Sequence, residues 1–286
     1  MRLVIAVLFS LLSVSALAQA PLRIVAAETV YGDVAGQLAG PRASVISILT
    51  DLAQDPHLFE ASPSAARQTA DAAIVVLNGA DYDPWMRRLL AGTGRAPARQ
   101  VVDVGALAGR RPGSNPHLWF DPAIMPVVAR AMTAALTSAD AANAPEYDTR
   151  LQAFMASLGP IDVRVAELRS RYEGVPVTAT EPVYGLMAAA LGLVVRNERF
   201  QLAVMNDTEP RPSDAAAFED DLRQHRVRAL FYNSQASGAA ARRMVALART
   251  NKIAVVGVAE TKPHGLTYQA WMLAQLDALD RALAVP

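Results

Sequence analysis

The chain has 286 residues and a formal net charge of zero, from 27 Lys and Arg against 27 Asp and Glu, which removes the electrostatic grounds for a nucleic-acid or anionic-membrane partner. Apolar residues make up 52% of the sequence, a composition that builds a core and not a disordered chain. With no cysteine and only four histidines, disulfides, thiolate metal sites and cysteine nucleophiles are excluded.

The N-terminus has the pattern of a secretory signal peptide. A basic Met1-Arg2 start precedes a nearly all-apolar run over 3–17, and Ala18-Gln19-Ala20 supplies small residues for cleavage after Ala20. The run is short for a membrane span, although an uncleaved anchor is the alternative. We therefore expect a periplasmic protein with no membrane insertion after cleavage, and no cysteine is present to carry a lipid.

The first half of the chain alternates short apolar runs with helical segments. Ser62 and Pro63 mark a helix start, as N-cap and first helical residue, and Asp121-Pro122 opens a helix to about residue 138. Apolar runs without alternation indicate a parallel sheet that is covered on both faces. The predicted strands are 22–27, 44–49, 73–77 and 101–104.

A long amphipathic helix is predicted over 145–172, where apolar residues recur at helical spacing. Gly159-Pro160 should kink or break it.

The strand and helix pattern then restarts, with Ser213 predicted as the N-cap of a helix through about residue 224. The predicted strands are 177–180, 229–232 and 253–258, and the other helices 183–190, 239–250 and 266–283. The fold class is therefore α/β: two Rossmann-like lobes with parallel sheets, joined by one long helix. The predicted boundaries are a signal peptide at 1–20, an N-terminal lobe at 21–142, the linking helix at 143–173 and a C-terminal lobe at 174–286.

Two histidines lie in matched loops. His57 and His117 are each preceded by proline and followed by leucine and an aromatic residue. The prolines stiffen the loops, and a rigid loop histidine is a good metal ligand. A hydrogen-bonded or solvated loop histidine is the alternative, and the repeated context counts against it.

Two glutamates directly follow strands, where ligands bind in open parallel sheets. Glu181 follows strand 177–180, and its alternative role is to stabilise a helix N-terminus. Glu260 follows strand 253–258, and its alternative is a solvated loop residue. Asn233 and Gln235 follow strand 229–232 and could orient a carboxylate.

The remaining polar candidates are weaker. His225 lies in a charged helix end and is predicted to be solvated, while His264 lies in a Pro/Gly turn as a neighbour of the cleft. Asp207 and Glu209 precede Pro210 and are predicted to be surface loop residues.

Nearly all of the mature chain resembles the periplasmic metal-binding receptors of ABC-type manganese and zinc uptake systems. The motifs that carry this resemblance are Asp55-Pro56-His57 with Phe59-Glu60-Ala61-Ser62-Pro63-Ser64, Asn115-Pro116-His117-Leu118-Trp119-Phe120-Asp121-Pro122, Arg211-Pro212-Ser213-Asp214 and Thr267-Tyr268-Gln269-Ala270-Trp271-Met272.

The resemblance implies one metal ligand from each of four loops, two in each lobe. It carries over to His57, His117, Glu181 and Glu260. The family more often has Asp at the fourth position, so Glu260 keeps the carboxylate but lengthens it. Many zinc receptors also insert a His-rich and acid-rich loop before the second histidine, whereas residues 105–114 contain neither histidine nor acid.

Such a site has a formal charge of −2 and would neutralise a divalent cation. Imidazole suits zinc and iron, and carboxylate oxygen suits manganese, so the expected ligand is Mn²⁺, Zn²⁺ or Fe²⁺. Calcium and magnesium prefer all-oxygen sites. Bidentate carboxylates would favour manganese or iron and monodentate ones would permit tetrahedral zinc, and the sequence leaves this choice open.

The predicted function is that of a monomeric, non-enzymatic receptor that captures the ion between the lobes and delivers it to the membrane permease of an ABC importer. An exported zinc-dependent hydrolase, with three of these ligands and a water, is the alternative. The sequence has no HExxH pair and no nucleophile elbow, which counts against it. A surface adhesion module with an incidental metal is a third possibility, and the lack of a lipid or wall anchor counts against it.

Overall fold

The computed structural model describes most of the chain, and the predicted signal peptide lies outside the described residues except for Ala20. The described residues are 20–94, 98–111, 113–235 and 238–284. Within them, no helix combines the length and apolar composition that would be needed to cross a bilayer.

Two four-stranded sheets organise the described residues, and all paired strands are parallel. The strand order is β2-β1-β3-β4 in the first sheet and β6-β5-β7-β8 in the second. The same order in both sheets brings the carboxyl ends of equivalent strands to one edge of each lobe. The strands are β1 (Leu22–Glu28), β2 (Ala43–Leu49), β3 (Ile74–Leu77), β4 (Gln100–Asp103), β5 (Pro176–Ala179), β6 (Val194–Arg196), β7 (Ala229–Asn233) and β8 (Ala254–Val258).

Helices connect the strands, as right-handed crossovers between parallel strands require. They are α1 (Thr29–Ala39), α2 (Pro63–Ala70), α3 (Pro84–Gly92), α4 (Val104–Leu107), α5 (Ile124–Ala139), α6 (Ala144–Ser157), α7 (Gly159–Tyr172), α8 (Gly185–Ala190), α9 (Glu198–Met205), α10 (Pro212–Arg223), α11 (Ala239–Thr250) and α12 (Tyr268–Ala284). Short 3₁₀ helices contain or directly follow three of the candidate site residues, His57, His117 and Glu181; they are Pro56–Leu58, Leu118–Phe120 and Pro182–Tyr184.

One hydrophobic core spans both lobes. A single cluster of buried side chains runs from Ile24 in β1 to Leu283 in α12. Helix α12 packs against β8 and α7 and also contacts α1 of the first lobe. Arg164 on α7 adds ion pairs of 2.8 Å to both Asp277 and Asp280 on α12. The lobes are therefore joined by packing as well as by the chain that connects them.

The structure differs from the sequence prediction in three places. The single long helix of the predicted fold is two helices, α6 and α7, which meet at Leu158, and the break lies directly before Gly159-Pro160, where the sequence predicts a kink or break. Ser213 does not cap α10, which begins at Pro212 with Arg211 as the N-cap residue and no side-chain cap. Because proline is favoured at the first helical position, Pro212 moves the helix start one residue earlier. The elements α3, α4, β6 and α9 were not predicted, and Val104, which was placed in the strand 101–104, begins α4.

Candidate metal centre

Three potential metal-ligating side chains converge between the two sheets. His57 and His117 come from the first lobe, and Glu260 follows β8 of the second. One donor atom from each lies within 4.8 Å of the others. The fold of the first lobe brings His57 and His117 together across 60 positions of the chain, and the packing of the lobes adds Glu260.

The His117 loop fixes both the position and the tautomer of its imidazole. The side-chain oxygen of Asn115 accepts a hydrogen bond from the backbone N–H of His117 at 3.0 Å and lies 2.8 Å from Nδ1 of the same residue. An amide oxygen can only accept, so Nδ1 carries the proton and Nε2 presents its lone pair. His117 is fully buried, and its Nε2 has no hydrogen-bond partner among the described residues.

The His57 loop uses the same local geometry. The Asp55 carboxylate accepts a hydrogen bond of 2.9 Å from the backbone N–H of His57, two residues on, as Asn115 does for His117. Both loops are thus Asx turns in which proline fixes the central residue. The Nε2 atom of His57 is buried and likewise unpartnered within the described chain. Burial lowers the pKa of His57, which favours the neutral, metal-ligating form.

Glu260 aims one carboxylate oxygen at both imidazoles. Its Oε2 lies 3.6 Å from His57 Nε2 and 3.2 Å from His117 Nε2, and it accepts a hydrogen bond of 2.8 Å from the Tyr82 hydroxyl. Burial raises the pKa of Glu260, but positive charge on protonated His117 and His57, together with the hydrogen bond from the Tyr82 hydroxyl, outweighs it and brings the pKa to about 2. The carboxylate is therefore ionised at neutral pH although it is only 1% exposed.

Glu181 joins the centre through Asn233. Glu181 lies two residues after the end of β5 and is buried, and its Oε2 accepts a hydrogen bond of 3.0 Å from Asn233 Nδ2. The same Asn233 nitrogen donates to Oε1 of Glu260. Burial raises the pKa of Glu181 to about 7, and the hydrogen bond from Asn233 opposes that rise. Glu181 lies outside the three-residue cluster of His57, His117 and Glu260, one hydrogen-bonded neighbour away.

Aromatic rings surround the imidazoles. The Tyr82 ring meets both His57 and His117 edge to face, with centroids 5.3 and 5.8 Å away. Trp119 is fully buried and packs edge to face on His117 at 5.6 Å. These rings exclude water from one side of the donor atoms, and that strengthens electrostatic attraction at the centre.

A second polar layer lies beneath the His117 loop. The Asn78 side chain donates to the main-chain oxygen of Pro116 at 2.8 Å and accepts from the Tyr31 hydroxyl at 2.6 Å. Asp83 accepts from the backbone N–H groups of Asn78 and Gly79 at 2.7 and 2.8 Å. This layer holds the loop that precedes the imidazole and also fixes the turn that leads to Tyr82.

A cavity of about 240 Å³ opens from the centre toward solvent between the lobes. Its lining includes His57 and Glu181, together with the acidic residues Asp55, Asp207 and Glu209, whereas His117 and Glu260 do not line it. The acidic lining gives this cavity a charge that attracts cations.

The other predictions have mixed outcomes. His225 and His264 are exposed and lie outside the cluster of donors, as do Asp207 and Glu209 at the cavity wall. Of the two residues expected to orient a carboxylate, Asn233 donates to the carboxylates of Glu181 and Glu260. Gln235 contacts neither carboxylate, and its Oε1 accepts from the backbone N–H of Glu260 at 2.7 Å.

Sequence reasoning missed Tyr82 and Asn115. The parallel between Asp55-Pro56-His57 and Asn115-Pro116-His117 could have identified Asn115, because both begin with a residue that accepts a hydrogen bond two positions on. Nothing local marks Tyr82, whose partner Glu260 is 178 residues away.

Comparison with known proteins matches most of the chain to components of metal uptake systems. The family model described as "Zinc-uptake complex component A periplasmic" matches residues 24–282. Among individual proteins, the chain is similar to the manganese ABC transporter substrate-binding lipoprotein PsaA of Streptococcus mitis. The two are 22% identical over 286 residues, which covers 92% of this chain and 89% of PsaA.

Solved structures share the two-lobe architecture. The periplasmic zinc-binding protein TroA from Treponema pallidum superposes with a TM-score of 0.76 at 18% identity, covering 92% of this chain and 99% of TroA. FpvC from Pseudomonas aeruginosa, solved with Mn²⁺, gives a TM-score of 0.74 at 20% identity, covering 92% of this chain and 98% of FpvC. The predicted α/β fold with two parallel sheets is thereby confirmed.

Proposed function

The chain belongs to the family of periplasmic A components of zinc-uptake complexes, and we propose that it captures a divalent transition-metal ion between its lobes and delivers it to the membrane permease of an ABC importer. The ion is the cargo of the protein. TroA is described as a zinc-binding protein, PsaA as a component of a manganese transporter, and FpvC was solved with Mn²⁺, which supports a cargo of this class.

The single observation that carries the proposal is the pair of orphaned imidazole nitrogens. Nε2 of His57 and Nε2 of His117 are buried and have no hydrogen-bond partner among the described residues, yet both face Glu260 Oε2. Buried polar atoms without a partner cost about 1–3 kcal/mol each. A divalent cation would satisfy both nitrogens and the carboxylate at once. We assign the ligands as His57, His117, Glu181 and Glu260.

The charge and donor types fit a transition metal. Two neutral imidazoles and two carboxylates supply a charge of −2, which balances a divalent ion. Nitrogen donors disfavour calcium and magnesium, and the mixture suits Zn²⁺, Mn²⁺ or Fe²⁺.

Binding and transport explain the site better than catalysis. A zinc hydrolase keeps one coordination position open for water. Four protein ligands leave no such position on a four-coordinate ion. The family and the relatives compared above are described as transport or binding components, and none of those relatives is described as a hydrolase. We therefore propose a receptor without enzymatic activity.

The route of the protein to the periplasm follows from its N-terminal sequence. We propose cleavage after Ala20, with lobes at 21–142 and 174–286 in the mature protein. PsaA is described as a lipoprotein, whereas this sequence contains no cysteine that could carry a lipid. We expect a free, monomeric periplasmic protein.

Elemental analysis tests the proposal. Protein purified without added metal, or stripped and reloaded with Zn²⁺, should hold about one ion per chain, and unlabelled Mn²⁺ should compete for it. His57→Ala and Glu181→Ala should lose stoichiometric metal, while His225→Ala, which alters an exposed histidine, should retain it. Full stoichiometry in both site variants would overturn the assignment.

A further inference from the structure

The Asn233 side chain bridges the two glutamates of the centre. Asn233 ends β7 and is 1% exposed. Its Nδ2 donates one hydrogen bond to Glu181 Oε2 at 3.0 Å and the other to Glu260 Oε1. Exchanging the oxygen and nitrogen of the Asn233 amide would lose a hydrogen bond, because Oδ1 accepts from the backbone N–H of Gln235 at 2.9 Å. The two donor hydrogens of this nitrogen are thus both committed to carboxylates.

Each oxygen of Glu260 has a separate task as a result. Oε1 is held by Asn233 on the side of β7. Oε2 is the oxygen that lies 3.6 and 3.2 Å from the two imidazole nitrogens. Only Oε2 therefore faces the position that an ion would share with His57 and His117.

The same division applies to Glu181. Its Oε2 is committed to Asn233, and its Oε1 makes no hydrogen bond with the described residues. In Glu260, Oε2 also accepts from the Tyr82 hydroxyl, but it is the oxygen that faces both imidazoles. Each carboxylate thus has one oxygen that Asn233 holds and one oxygen that Asn233 does not contact. With two imidazole nitrogens, the site offers four donors in total.

Four donors of the type N₂O₂ match tetrahedral zinc, which has no preference for more ligands. Manganese favours a larger, oxygen-rich shell that two bidentate carboxylates would provide. Zinc already binds nitrogen and oxygen donors more tightly than manganese does. A contact that keeps each carboxylate from binding through both oxygens therefore increases the difference between the affinities for zinc and manganese.

We propose that Asn233 is a specificity-determining residue, which holds each glutamate to one ligand oxygen and so favours zinc over manganese. This inference rests on the proposed function, because it concerns the metal preference of the same site.

The test compares the ratio of two dissociation constants. Zn²⁺ and Mn²⁺ affinities of the full-length mature protein are measured by competition against a chromogenic chelator. In Asn233→Ala both glutamates become free to bind through two oxygens, so the preference for zinc should fall by about tenfold, which corresponds to about 1.4 kcal/mol. Tyr82→Phe is the matched control. It removes a hydrogen bond from the ligand oxygen of Glu260 but leaves Asn233 in place, so both affinities should fall with little change in their ratio.

X-ray absorption spectroscopy supplies a readout that needs no variant. Zinc-loaded wild-type protein should have four nitrogen or oxygen neighbours, with each carboxylate contributing one. Five or six neighbours in the wild type, or an unchanged affinity ratio in folded Asn233→Ala, would overturn the role of Asn233. Failure of the wild type to bind either metal would instead overturn the proposed function, so the two failures are distinguishable.

Discussion

The side chain of Gln235 donates a hydrogen bond of 3.0 Å to the main-chain oxygen of Gln54, and this bond joins the second lobe to the loop that carries His57. The opposite end of the same amide accepts the backbone N–H groups of Glu260 and Thr261, at 2.7 and 2.9 Å. One buried side chain therefore sets the position of Glu260 and of the His57 loop relative to each other. The contacts of Gln235 therefore fix the relative position of the two lobes at the metal centre, in addition to the hydrophobic core that the lobes share.

We expect Gln235→Ala to weaken metal binding without removing a ligand. Partners that orient metal ligands typically change affinity by about 10- to 100-fold, and Gln235 acts on two sides of the site. Isothermal titration with Zn²⁺ measures the effect. Gln224→Ala, an exposed glutamine after α10, is the control and should bind like the wild type. Wild-type affinity in Gln235→Ala would mean that the core alone positions the two loops.

Asn115 should act through its oxygen. Asn115→Ala removes the acceptor that fixes the proton on Nδ1 of His117, so zinc affinity should fall by roughly 10- to 100-fold. Asn115→Asp keeps an acceptor in the same place and should recover most of that affinity, although it loses the bond to the Pro182 oxygen. Titration calorimetry on both variants decides the matter. An equally weak Asp variant would indicate that the contact with Pro182 matters more than the tautomer.

Metal should stabilise the folded protein, and a chelator should remove that stability. An ion that binds only the folded state adds about 2.7 kcal/mol to the free energy of unfolding when its free concentration is 100 times the dissociation constant. Thermal denaturation with Zn²⁺ and with EDTA measures the difference. His117→Ala should unfold at the same temperature in both conditions, whereas His264→Ala, whose histidine is exposed, should keep the wild-type shift. A zinc-dependent shift in His117→Ala would contradict the assignment of that ligand.

A buried carboxyl pair should give the metal-free protein a pH-dependent stability. Burial raises the pKa of Asp83 from 3.8 to about 6, and burial together with the nearby Asp83 raises the pKa of Glu28 well above its usual value. Between about pH 4 and 6 the folded state holds protons that the unfolded chain has released, so the free energy of unfolding falls as pH rises through this window. The change in the pKa of Asp83 from 3.8 to about 6 corresponds to roughly 3 kcal/mol in the free energy of unfolding.

Glu28→Gln should reduce this dependence, because it removes one titrating group and its charge beside Asp83. Urea denaturation of the chelator-treated protein at pH 4.5 and pH 7 measures the change. Glu198→Gln replaces an exposed glutamate and should leave the wild-type dependence intact. If the free energy of unfolding changes equally between pH 4.5 and pH 7 in wild type and Glu28→Gln, groups other than Glu28 and Asp83 cause the pH dependence.

Most of the strands were predictable because they coincide with short apolar runs in the sequence. Runs such as 73–77 and 253–258 contain little but apolar residues, and the structure has strands there with bounds that differ by one residue. Strand β6 escaped prediction because it has only three residues, two of them valines, and no local signal separates such a segment from a loop. The break between α6 and α7 followed from Gly159-Pro160.

The centre was predictable only in part. The two histidines were identified from their repeated loops, and the two glutamates from their positions after strands together with the family resemblance. The contacts that organise these groups were beyond reach, because Tyr82 and Gln235 each act on residues of the opposite lobe. Local sequence patterns can indicate that a side chain could bind a metal or donate a hydrogen bond. The packing of the two lobes determines which residues that side chain contacts.

Trp119 has a further consequence for how the protein can be observed. Its indole is fully buried and lies one ring away from the imidazole that we assign as a ligand, with centroids 5.6 Å apart. The protein has three tryptophans, and only Trp119 has ring contacts with both His117 and Tyr82. An open-shell ion such as Cu²⁺ or Co²⁺ at the centre would quench the emission of this indole, whereas closed-shell Zn²⁺ would leave it bright. The molecule thus contains its own optical reporter of which kind of ion it has taken up.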